Sequence, residues 1–351
     1  MEYIKGLTSI IICCYNVASW LRKKRLLCIL QQTYPQIEVI LVDDGSTDDT
    51  PELLRYLATK DSRLRIITHP NNQGLGNARN TGLDDAKGEF IWYYDVDDEA
   101  SLELVEKNVN WMSCMETDIN IFSFERTFDK NRSTKNVIFK KRLLESNKAL
   151  QDIYVELFLG KYGNGYTWNK FYRHSFLEQH RFRFGDQRIL QDELFIQQIC
   201  PFVKRVYISN EILYHYFVYE QGNNRSHYIP HRYDIFLSVH KGFIRLFEQW
   251  NIKSEDIVAN CHERLYRGMY VSIMYDSFHP ENPLALKEKK NEIKRILLHP
   301  ESQECIDHQA HIPSQSIKEH LYLKVLQLQN ASVILMLPFL SKIIRYLKKD
   351  I

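Results

Sequence analysis

Apolar and polar segments alternate through the first hundred residues of the chain. The apolar segments are five to eight residues long and rich in Ile, Val, Leu and aromatic residues, which is typical of strands buried on both faces. The segments between them have helical spacing. Strands that alternate with helices indicate a parallel sheet with helices on its faces. The pattern therefore predicts an α/β fold, with strands at 8–15, 37–42, 64–68 and 88–93 and helices at about 18–32, 51–60 and 78–86.

The middle of the chain is less regular. A basic stretch at 125–150 predicts a loop or hairpin, followed by a helix from about residue 147. Two glycines within residues 162–166 predict a turn. An alternating aromatic run at 213–217 predicts a strand, which leads into a loop at 222–226.

Helical spacing takes over from about residue 230. Apolar residues there recur at intervals of three or four positions, which predicts amphipathic helices at 232–249, 256–276 and 284–297. We therefore expect an α/β domain at residues 1–226 and a helical C-terminal region at 227–351.

Polar side chains follow three of the predicted strands at the point where each strand ends: Tyr15-Asn16, Asp43-Asp44 and the run from Asp95 to Asp98. The carboxyl ends of parallel strands meet at one edge of the sheet, where α/β folds bind ligands. Three carboxylates within four residues are costly unless a cation offsets their charge. A hard cation such as Mg²⁺ or Mn²⁺ that carries a diphosphate is the candidate. A solvated acidic turn is the alternative, but independent surface turns have no reason to converge on one edge.

Composition limits the classes of function and the compartment. A net charge of +2 provides no global basic field for nucleic acid. Seven cysteines are scattered without a CxxC pair, so we expect reduced thiols in a cytoplasmic protein. We expect neither a secretory signal nor a transmembrane helix. Residues 333–349 mix apolar with cationic side chains; a peripheral membrane contact, a helix docked on the body and a homodimer contact remain open for them.

Four motifs occur in order within the first hundred residues: Thr8 to Asn16, Val42 to Asp48, Asn72 to Leu83, and Gly88 to Ile91 with Asp95 to Asp98. In this order they resemble the inverting GT-A glycosyltransferases of family 2. The resemblance continues more weakly through Trp168 to Arg173 and Gln191 to Phe195, and covers roughly residues 7–226. It implies a GT-A (Rossmann-like) fold with a mostly parallel central sheet flanked by helices. The donor-binding half would be about residues 1–110, and the acceptor-side half about 111–226.

The resemblance also implies roles for residues at the ends of the first strands. Tyr15 and Asp44 would hold the uracil of a nucleotide-sugar donor, by stacking and by a hydrogen bond to its ring nitrogen. Asn16 lies in the same cluster and is included in the donor site. Arg79 would contact the diphosphate or form a salt bridge with an aspartate of the site.

The acidic run would divide its work among three carboxylates. Asp95 would lie near the ribose and diphosphate. Asp97 would bind the metal directly. Asp98 would hydrogen-bond the donor sugar or orient the metal shell.

The expected catalytic base is where the chain departs from the family pattern. In the family a Glu-Asp pair usually precedes two residues and a Phe, and its Asp is the base. Here the stretch is Gln191-Asp192-Glu193-Leu194-Phe195, so Asp192 aligns with the base and Gln191 replaces the Glu. A shift of one residue would favour Glu193. For either carboxylate the alternative is an acidic helix N-terminus stabilised by the dipole.

We therefore expect a metal-dependent, inverting glycosyltransferase that uses Mn²⁺ or Mg²⁺. Its donor would be a nucleotide sugar, in the first place a UDP-sugar. Its acceptor would be a surface glycan, with a lipid-linked acceptor at the inner membrane face as one form. Extension of a glycoprotein glycan is an alternative within the class. A nucleotide-sugar-binding or scaffold protein that has lost catalysis is the alternative outside it, because Gln191 alters the base motif.

Overall fold

The computed structural model describes residues 3–23, 25–129, 133–159, 165–219, 228–311 and 317–336, and only the backbone of 317–320. The chain divides into two compact units, residues 1–223 and 224–351. The first unit is built on a ten-stranded sheet, and the described part of the second is helical. The expected α/β class, with helices flanking a central sheet and helices after it, is confirmed.

The first four strands are parallel, as predicted. β1 (Ile4–Cys14) lies between β2 (Ile37–Asp43) and β4 (Gly88–Tyr94), and β3 (Leu64–Thr68) pairs with β2. Most side chains of β1, β2 and β4 are buried, which explains why these strands are continuous apolar runs in the sequence. Because the strands run in the same direction, the chain leaves β1, β2 and β4 at one edge of the sheet. Helices α3 (Thr50–Ala58) and α4 (Leu75–Asp85) provide the return connections that follow β2 and β3.

Beyond β4 the sheet is mixed rather than parallel. β9 (Lys170–Arg173) inserts antiparallel between β4 and β6 (Ile119–Phe128), and β10 (Val206–Val218) pairs parallel with β6. The predicted hairpin is formed by β6 and β7 (Ser133–Val137), and the predicted aromatic strand is the second half of β10. Short strands β5 (Glu99–Ala100) and β8 (Arg142–Leu144) pair antiparallel with β10. The order is β3-β2-β1-β4-β9-β6-β10-β5, with β7 on β6 and β8 on β10.

Four further helices cover the sheet of the first unit. They are α5 (Leu104–Met115), α6 (Asn147–Tyr154), α7 (His174–Gln179) and α8 (Gln191–Ile199). The predicted helix from about 147 is α6, which the Ser146 side chain caps by accepting from Ala149 N at 3.2 Å. Its last residue leads into a single π-helical turn at Val155–Leu159.

The helix predicted at 18–32 is wrong. The structure has two short helices instead, α1 (Ala18–Arg22) and α2 (Leu27–Leu30). Between them the Arg25 side chain turns to an ion pair with Glu99, and the Arg25 carbonyl accepts from the Tyr94 hydroxyl at 3.3 Å. These tertiary contacts override the helical periodicity of the segment.

The second unit contains the three predicted helices, α9 (Arg232–Gln249), α10 (Glu255–Met274) and α11 (Leu286–Leu298). A 3₁₀ turn (Asp276–Phe278) and two more helices, α12 (Pro300–Ala310) and α13 (Ile317–Gln327), complete it. Their apolar faces enclose a separate core that includes Met269, Ile273 and Leu297. No helix among the described residues is long and apolar enough to cross a membrane. The segment 337–349, the loop predicted at 222–226 and residues 162–164 lie outside the described residues.

Candidate active site

The turn after β2 places Asp44 at the sheet edge and uses its carboxylate to shape a second loop. Asp44 is buried, and its oxygens accept from the backbone N–H groups of Gln73 at 2.9 Å and Gly74 at 2.8 Å. The same carboxylate lies 2.7 Å from His69 Nδ1. Gly74 has a φ of 92°, a left-handed conformation that suits glycine. Asp44 thus ties the end of β2 to the loop before α4.

Tyr15 and Asn16 follow β1 on the same edge. Asn16 has a φ of 53°, and its side-chain oxygen accepts from Thr47 N at 2.8 Å. Its own N–H donates to Ser46 Oγ at 3.0 Å. Tyr15 by contrast is 47% exposed. The turn is therefore held by Asn16, whereas the Tyr15 ring offers a surface for a ligand.

Arg79 joins two of the predicted clusters. It is buried on α4, and its guanidinium forms ion pairs with Asp192 and, at 3.5 Å, with Asp95. Burial alone would lower the pKa of Arg79, but the two carboxylates hold that pKa above its ordinary value. Of the two roles expected for Arg79, the salt bridge with an aspartate of the site is the one that the structure contains. A single cation therefore connects α8 to the acidic run after β4.

Asp192 lies in the first turn of α8, and both of its oxygens have partners. One pairs with Arg79; the other accepts from Thr167 N at 3.3 Å and Thr167 Oγ1 at 3.4 Å. Its side chain is 19% exposed. Glu193, the neighbouring carboxylate, packs against Gly165 instead: a Cβ added to that glycine would lie 2.6 Å from Glu193 Cγ. Of the two neighbouring carboxylates, Asp192 is therefore the one that pairs with Arg79.

Asp98 anchors the acidic run to β10. This residue is fully buried, and its carboxylate accepts from the Tyr214 hydroxyl and from Phe217 N, both at 2.8 Å. Burial raises its pKa well above the usual range. Both oxygens of Asp98 thus hold β10 against the run rather than facing solvent.

Asp95 and Asp97, unlike Asp98, are only partly buried. Burial raises the pKa of Asp95 to about 6, with Arg79 opposing the rise. Burial also raises the pKa of Asp97, and nearby Arg25 opposes that rise. Among the described residues, no other residue hydrogen-bonds to the Asp97 carboxylate. Asp97 is therefore the carboxylate of the run that remains available to a ligand.

A second set of contacts, which the sequence did not predict, joins the backbone of the acidic run to Tyr219 and Arg25. The Tyr219 hydroxyl donates to the Asp97 carbonyl at 3.2 Å and lies 3.5 Å from Arg25 Nη2. Arg25 in turn pairs with Glu99 and lies 4.0 Å from the centre of the Phe217 ring. The backbone of the run is thus held between the α1–α2 connection and the end of β10. Nothing in the sequence indicates a pairing of residues 122 positions apart.

The side chains at the run suit a divalent cation of the hard type. Asp97 supplies an oxygen ligand that has no competing partner on another described residue, and Asp95 is close by in the chain. The run does not bring three ligand atoms within 4.8 Å of one another; within the described ranges only His231, Asp234 and Glu292 of the second unit do so. Arg295 occupies both of those carboxylates. A cation at Asp97 would therefore need oxygens from a ligand to complete its shell, as diphosphates provide.

The segment Tyr166–Lys170 forms a tight turn beside Asp192, and each of its first four carbonyls has a donor. The Tyr166 carbonyl accepts from Lys170 Nζ, the Thr167 carbonyl from Lys170 N, the Trp168 carbonyl from Trp92 Nε1 and the Asn169 carbonyl from Phe122 N. Such complete pairing keeps a buried turn in one conformation. The turn in this way presents the N–H and hydroxyl of Thr167 to Asp192.

Comparison with known proteins agrees with the fold and with the positions of these motifs. The sequence profile described as Glycosyl transferase family 2 matches residues 9–198. The chain is 33% identical over 212 residues to a putative glycosyltransferase EpsH of Bacillus subtilis, covering 59% of this chain and 60% of that protein. It is 30% identical over 234 residues to the uncharacterized glycosyltransferase EpsJ of the same organism, covering 64% of each. The matched part thus spans less than two thirds of these relatives.

The fold is also similar to that of a solved structure. A crystal structure of S. aureus TarS 1–349 in complex with UDP-GlcNAc superposes with a TM-score of 0.59, at 20% identity, over 86% of this chain and 81% of that one. At this identity the likeness concerns the fold. The family profile matches more than half of the chain and includes Asp44, Arg79, the acidic run and Asp192. The chain belongs to glycosyl transferase family 2.

Proposed function

We propose that the chain is an inverting, metal-dependent glycosyltransferase that moves a sugar from a UDP-sugar to a hydroxyl of a glycan acceptor. The observation that carries the proposal is the set of ion pairs that Arg79 forms with Asp192 and Asp95. One buried cation joins a carboxylate at the start of α8 to the acidic run after β4. A base and a leaving-group site must be held at a fixed separation for in-line displacement, and this connection provides that.

The donor would occupy the edge of the sheet above β1, β2 and β4. The exposed Tyr15 ring would stack on the uracil, and Asp44 with Asn16 would form the pocket around it. Asp44 already accepts two backbone hydrogen bonds, so a further bond to the uracil would use a remaining lone pair. Binding of UDP-GlcNAc by TarS, which has the same fold, supports a uridine donor.

The metal would be Mn²⁺ or Mg²⁺, with Asp97 as its direct protein ligand. When bound, such a cation offsets the negative charge that develops on the leaving diphosphate. Asp95 would contribute near the ribose and diphosphate, where its neighbour Arg79 also lies. Asp98 would act indirectly: because its oxygens are bonded to β10, we propose that it orients the run rather than touching the donor sugar.

The reaction needs one base. The acceptor oxygen attacks the anomeric carbon, the bond from that carbon to the diphosphate oxygen breaks, and UDP leaves with the bonding electron pair. Asp192 takes the acceptor proton, assisted by Thr167, which holds the carboxylate in place. A carboxylate is a weak base, which suffices when the proton leaves late, once the attacked oxygen has become acidic. Because attack and departure lie on opposite sides, the configuration inverts.

The acceptor and location follow from the family alone. We propose a surface-glycan acceptor, with a lipid-linked glycan as one form and a glycoprotein glycan as the alternative, and a cytoplasmic site of action. Residues 333–349 would supply a peripheral contact with the membrane or with a second copy of the chain.

Donor turnover tests this function. The protein is incubated with a panel of nucleotide sugars, with and without Mn²⁺, and nucleoside diphosphate release is measured. We expect release from a UDP-sugar that requires the metal. Asp192→Asn should lower transfer by about 10²–10⁴-fold, and Asp97→Ala should abolish the metal dependence along with activity. Glu193→Gln is the matched control and should retain transfer.

The outcomes separate the alternatives. Near-normal transfer by folded Asp192→Asn, together with loss in Glu193→Gln, would move the base to Glu193. A donor-induced thermal shift without any release would favour a binding or scaffold protein. If no nucleotide or nucleotide sugar binds, the proposed function fails.

A further inference from the structure

Four aromatic rings form one continuous stack around Trp168, which follows Thr167 in the chain. The Trp168 ring lies in its middle, with ring centres 4.7 Å from Tyr166, 4.4 Å from Tyr214 and 5.3 Å from Tyr216. All three neighbours are nearly parallel to Trp168, with interplanar angles of 21°, 12° and 27°. Trp168 and Tyr214 are buried, whereas Tyr166 and Tyr216 are partly exposed. The two outer rings, whose centres are 5.7 Å apart, form the accessible part of the stack.

The stack extends from the base to the acidic run. At one end Tyr166 immediately precedes Thr167, which donates to Asp192. At the other end the Tyr214 hydroxyl donates to Asp98 and lies 3.4 Å from Asp95 N. We infer that a molecule on the outer rings lies close to Asp192, because Tyr166 and the residue that donates to Asp192 are consecutive in the chain.

Tyr166 is held firmly in position. Its hydroxyl accepts from Arg126 Nη2 at 3.0 Å, and its carbonyl accepts from the buried Lys170 amine. The Arg126 guanidinium also lies 5.8 Å from the centre of the ring. A ring fixed at both its backbone and its hydroxyl presents a preformed surface, which lowers the entropic cost of binding.

The chemistry of the surface selects a class of ligand. An aromatic face is apolar and flat, with a polar edge. A pyranose in its chair form has a patch of C–H groups on one face and hydroxyls around its rim, which matches such a surface. A phosphodiester or an open-chain polyol has no comparable flat apolar face. Of the two substrates, it is the acceptor whose hydroxyl must reach the base.

We propose that Tyr166 and Tyr216 form an acceptor subsite, on which a pyranose ring of the acceptor stacks while one of its hydroxyls points to Asp192. The inference rests on the proposed function, since it names the acceptor class for the same site. It predicts that the acceptor ends in a pyranose residue rather than in a polyol phosphate.

Ligand binding tests the subsite without depending on turnover. Methyl β-D-glucopyranoside, methyl β-D-galactopyranoside and glycerol 3-phosphate are titrated by saturation-transfer NMR into the full chain with UDP and Mn²⁺. The variants are Tyr166→Leu and Tyr216→Leu, which keep apolar bulk but lose the ring, and Tyr166→Phe and Tyr216→Phe, which keep the ring. Tyr56→Leu, at an exposed tyrosine on α3, is the control.

We expect at least one glycoside to bind the wild-type protein, the Phe variants and Tyr56→Leu with similar affinity. Each Leu variant should weaken that binding about 10-fold and leave UDP affinity unchanged. The proposal is overturned if the glycosides bind the Leu variants as well as the wild type, or if glycerol 3-phosphate binds and no glycoside does. Absence of UDP binding would instead contradict the proposed function. Glycoside titrations without nucleotide would then still show whether the rings bind a pyranose.

Discussion

Replacement of the buried Lys170 should change how the stability of the first unit depends on pH. Lys170 is fully buried, and its amine donates to the Tyr166 carbonyl and, at 2.9 Å, to Asn169 Oδ1. The Phe158 ring lies beneath the amine, with its centre 5.4 Å away. Burial lowers the pKa of Lys170 to about 7, with Cys200 and Asp192 opposing that change. At pH 7 the amine is therefore protonated in the unfolded chain and about half protonated in the folded one.

The size of the effect follows from proton linkage. In the unfolded chain the lysine amine titrates near its usual pKa of ~10.4. Between about pH 7 and pH 10 the unfolded state therefore binds more protons than the folded state, so stability rises with pH. With a folded pKa of about 7, this one group contributes a gain of about 2 kcal/mol in the free energy of unfolding between pH 6 and pH 8.5. Lys170→Met keeps the length of the side chain and removes this contribution.

Urea unfolding measures the effect in the relevant unit. Tryptophans 20, 92, 111 and 168 lie in the first unit and Trp250 in the second, so fluorescence in a Trp250→Phe background follows only the first. The free energy of unfolding is measured at several pH values between 6 and 8.5 for two proteins in this background, one with Lys170 intact and one with Lys170→Met. The difference between the two proteins cancels the contributions of other titrating groups.

The expected result is a difference that shifts by about 2 kcal/mol in favour of the lysine protein as the pH rises over this range. A difference that stays constant within about 0.5 kcal/mol would show that the amine keeps its charge in the folded state. The reasoning about its burial would then be refuted. The absolute difference at one pH does not decide the matter, because the variant also removes two hydrogen bonds.

Four other substitutions test individual contacts of the site. Arg79→Met should destabilise the first unit by about 1–3 kcal/mol in urea, since the partly buried carboxylates of Asp95 and Asp192 lose a charged hydrogen-bond partner, and adding Asp192→Asn should restore part of that loss. Tyr219→Phe should weaken Mn²⁺ binding to the UDP complex several-fold by calorimetry and leave metal-free UDP binding unchanged; equal weakening of both would contradict a role at Asp97. Thr167→Val removes one of the three donors to Asp192 and should lower kcat about 10-fold at constant donor KM, whereas a change in KM alone would assign Thr167 to donor binding. Asp98→Asn retains an acceptor for Phe217 N and gains a donor for the Tyr214 oxygen, so UDP-sugar affinity should change less than about 3-fold; a 100-fold loss at unchanged thermal stability would show direct contact with the sugar.

The parallel half of the sheet was predictable because its strands are buried on both faces. β1, β2 and β4 appear in the sequence as uninterrupted apolar runs, and their polar ends mark the sheet edge. The antiparallel strand β9 gave no comparable signal, since four residues are too few to show a period. Residues 18–32 did show a helical period, but the contacts of Arg25 with Glu99 and Tyr94, on either side of the acidic run, accompany a break between α1 and α2.

The positions of the candidate site residues at strand and helix ends were predictable to the same extent, and so was a salt bridge between Arg79 and an aspartate, while the other partners were not. Local motifs identified Asp44, Asp97 and Asp192, because each occurs at a fixed place relative to a strand or helix end. The contact between Arg79 and Asp192 spans 113 residues, and that between Tyr219 and Asp97 spans 122. Pairings of this kind depend on how the sheet closes, which a single sequence does not reveal.

The residues of the candidate site form two groups: some hold the site in place, and others present a surface to a ligand. Asp44, Arg79 and Asp98 are buried and paired within the protein, whereas the Tyr15 ring and the Asp97 carboxylate have partly exposed surfaces. A charged framework has a physical advantage here, because its hydrogen bonds are directional and hold the exposed groups to fixed positions. The same framework makes the site sensitive to its distant supports. Arg25 and Tyr219 lie outside the motifs of the family, yet their contacts hold the backbone that carries Asp97. Lys170 lies in the weaker stretch from Trp168 to Arg173 and holds the turn that carries Tyr166.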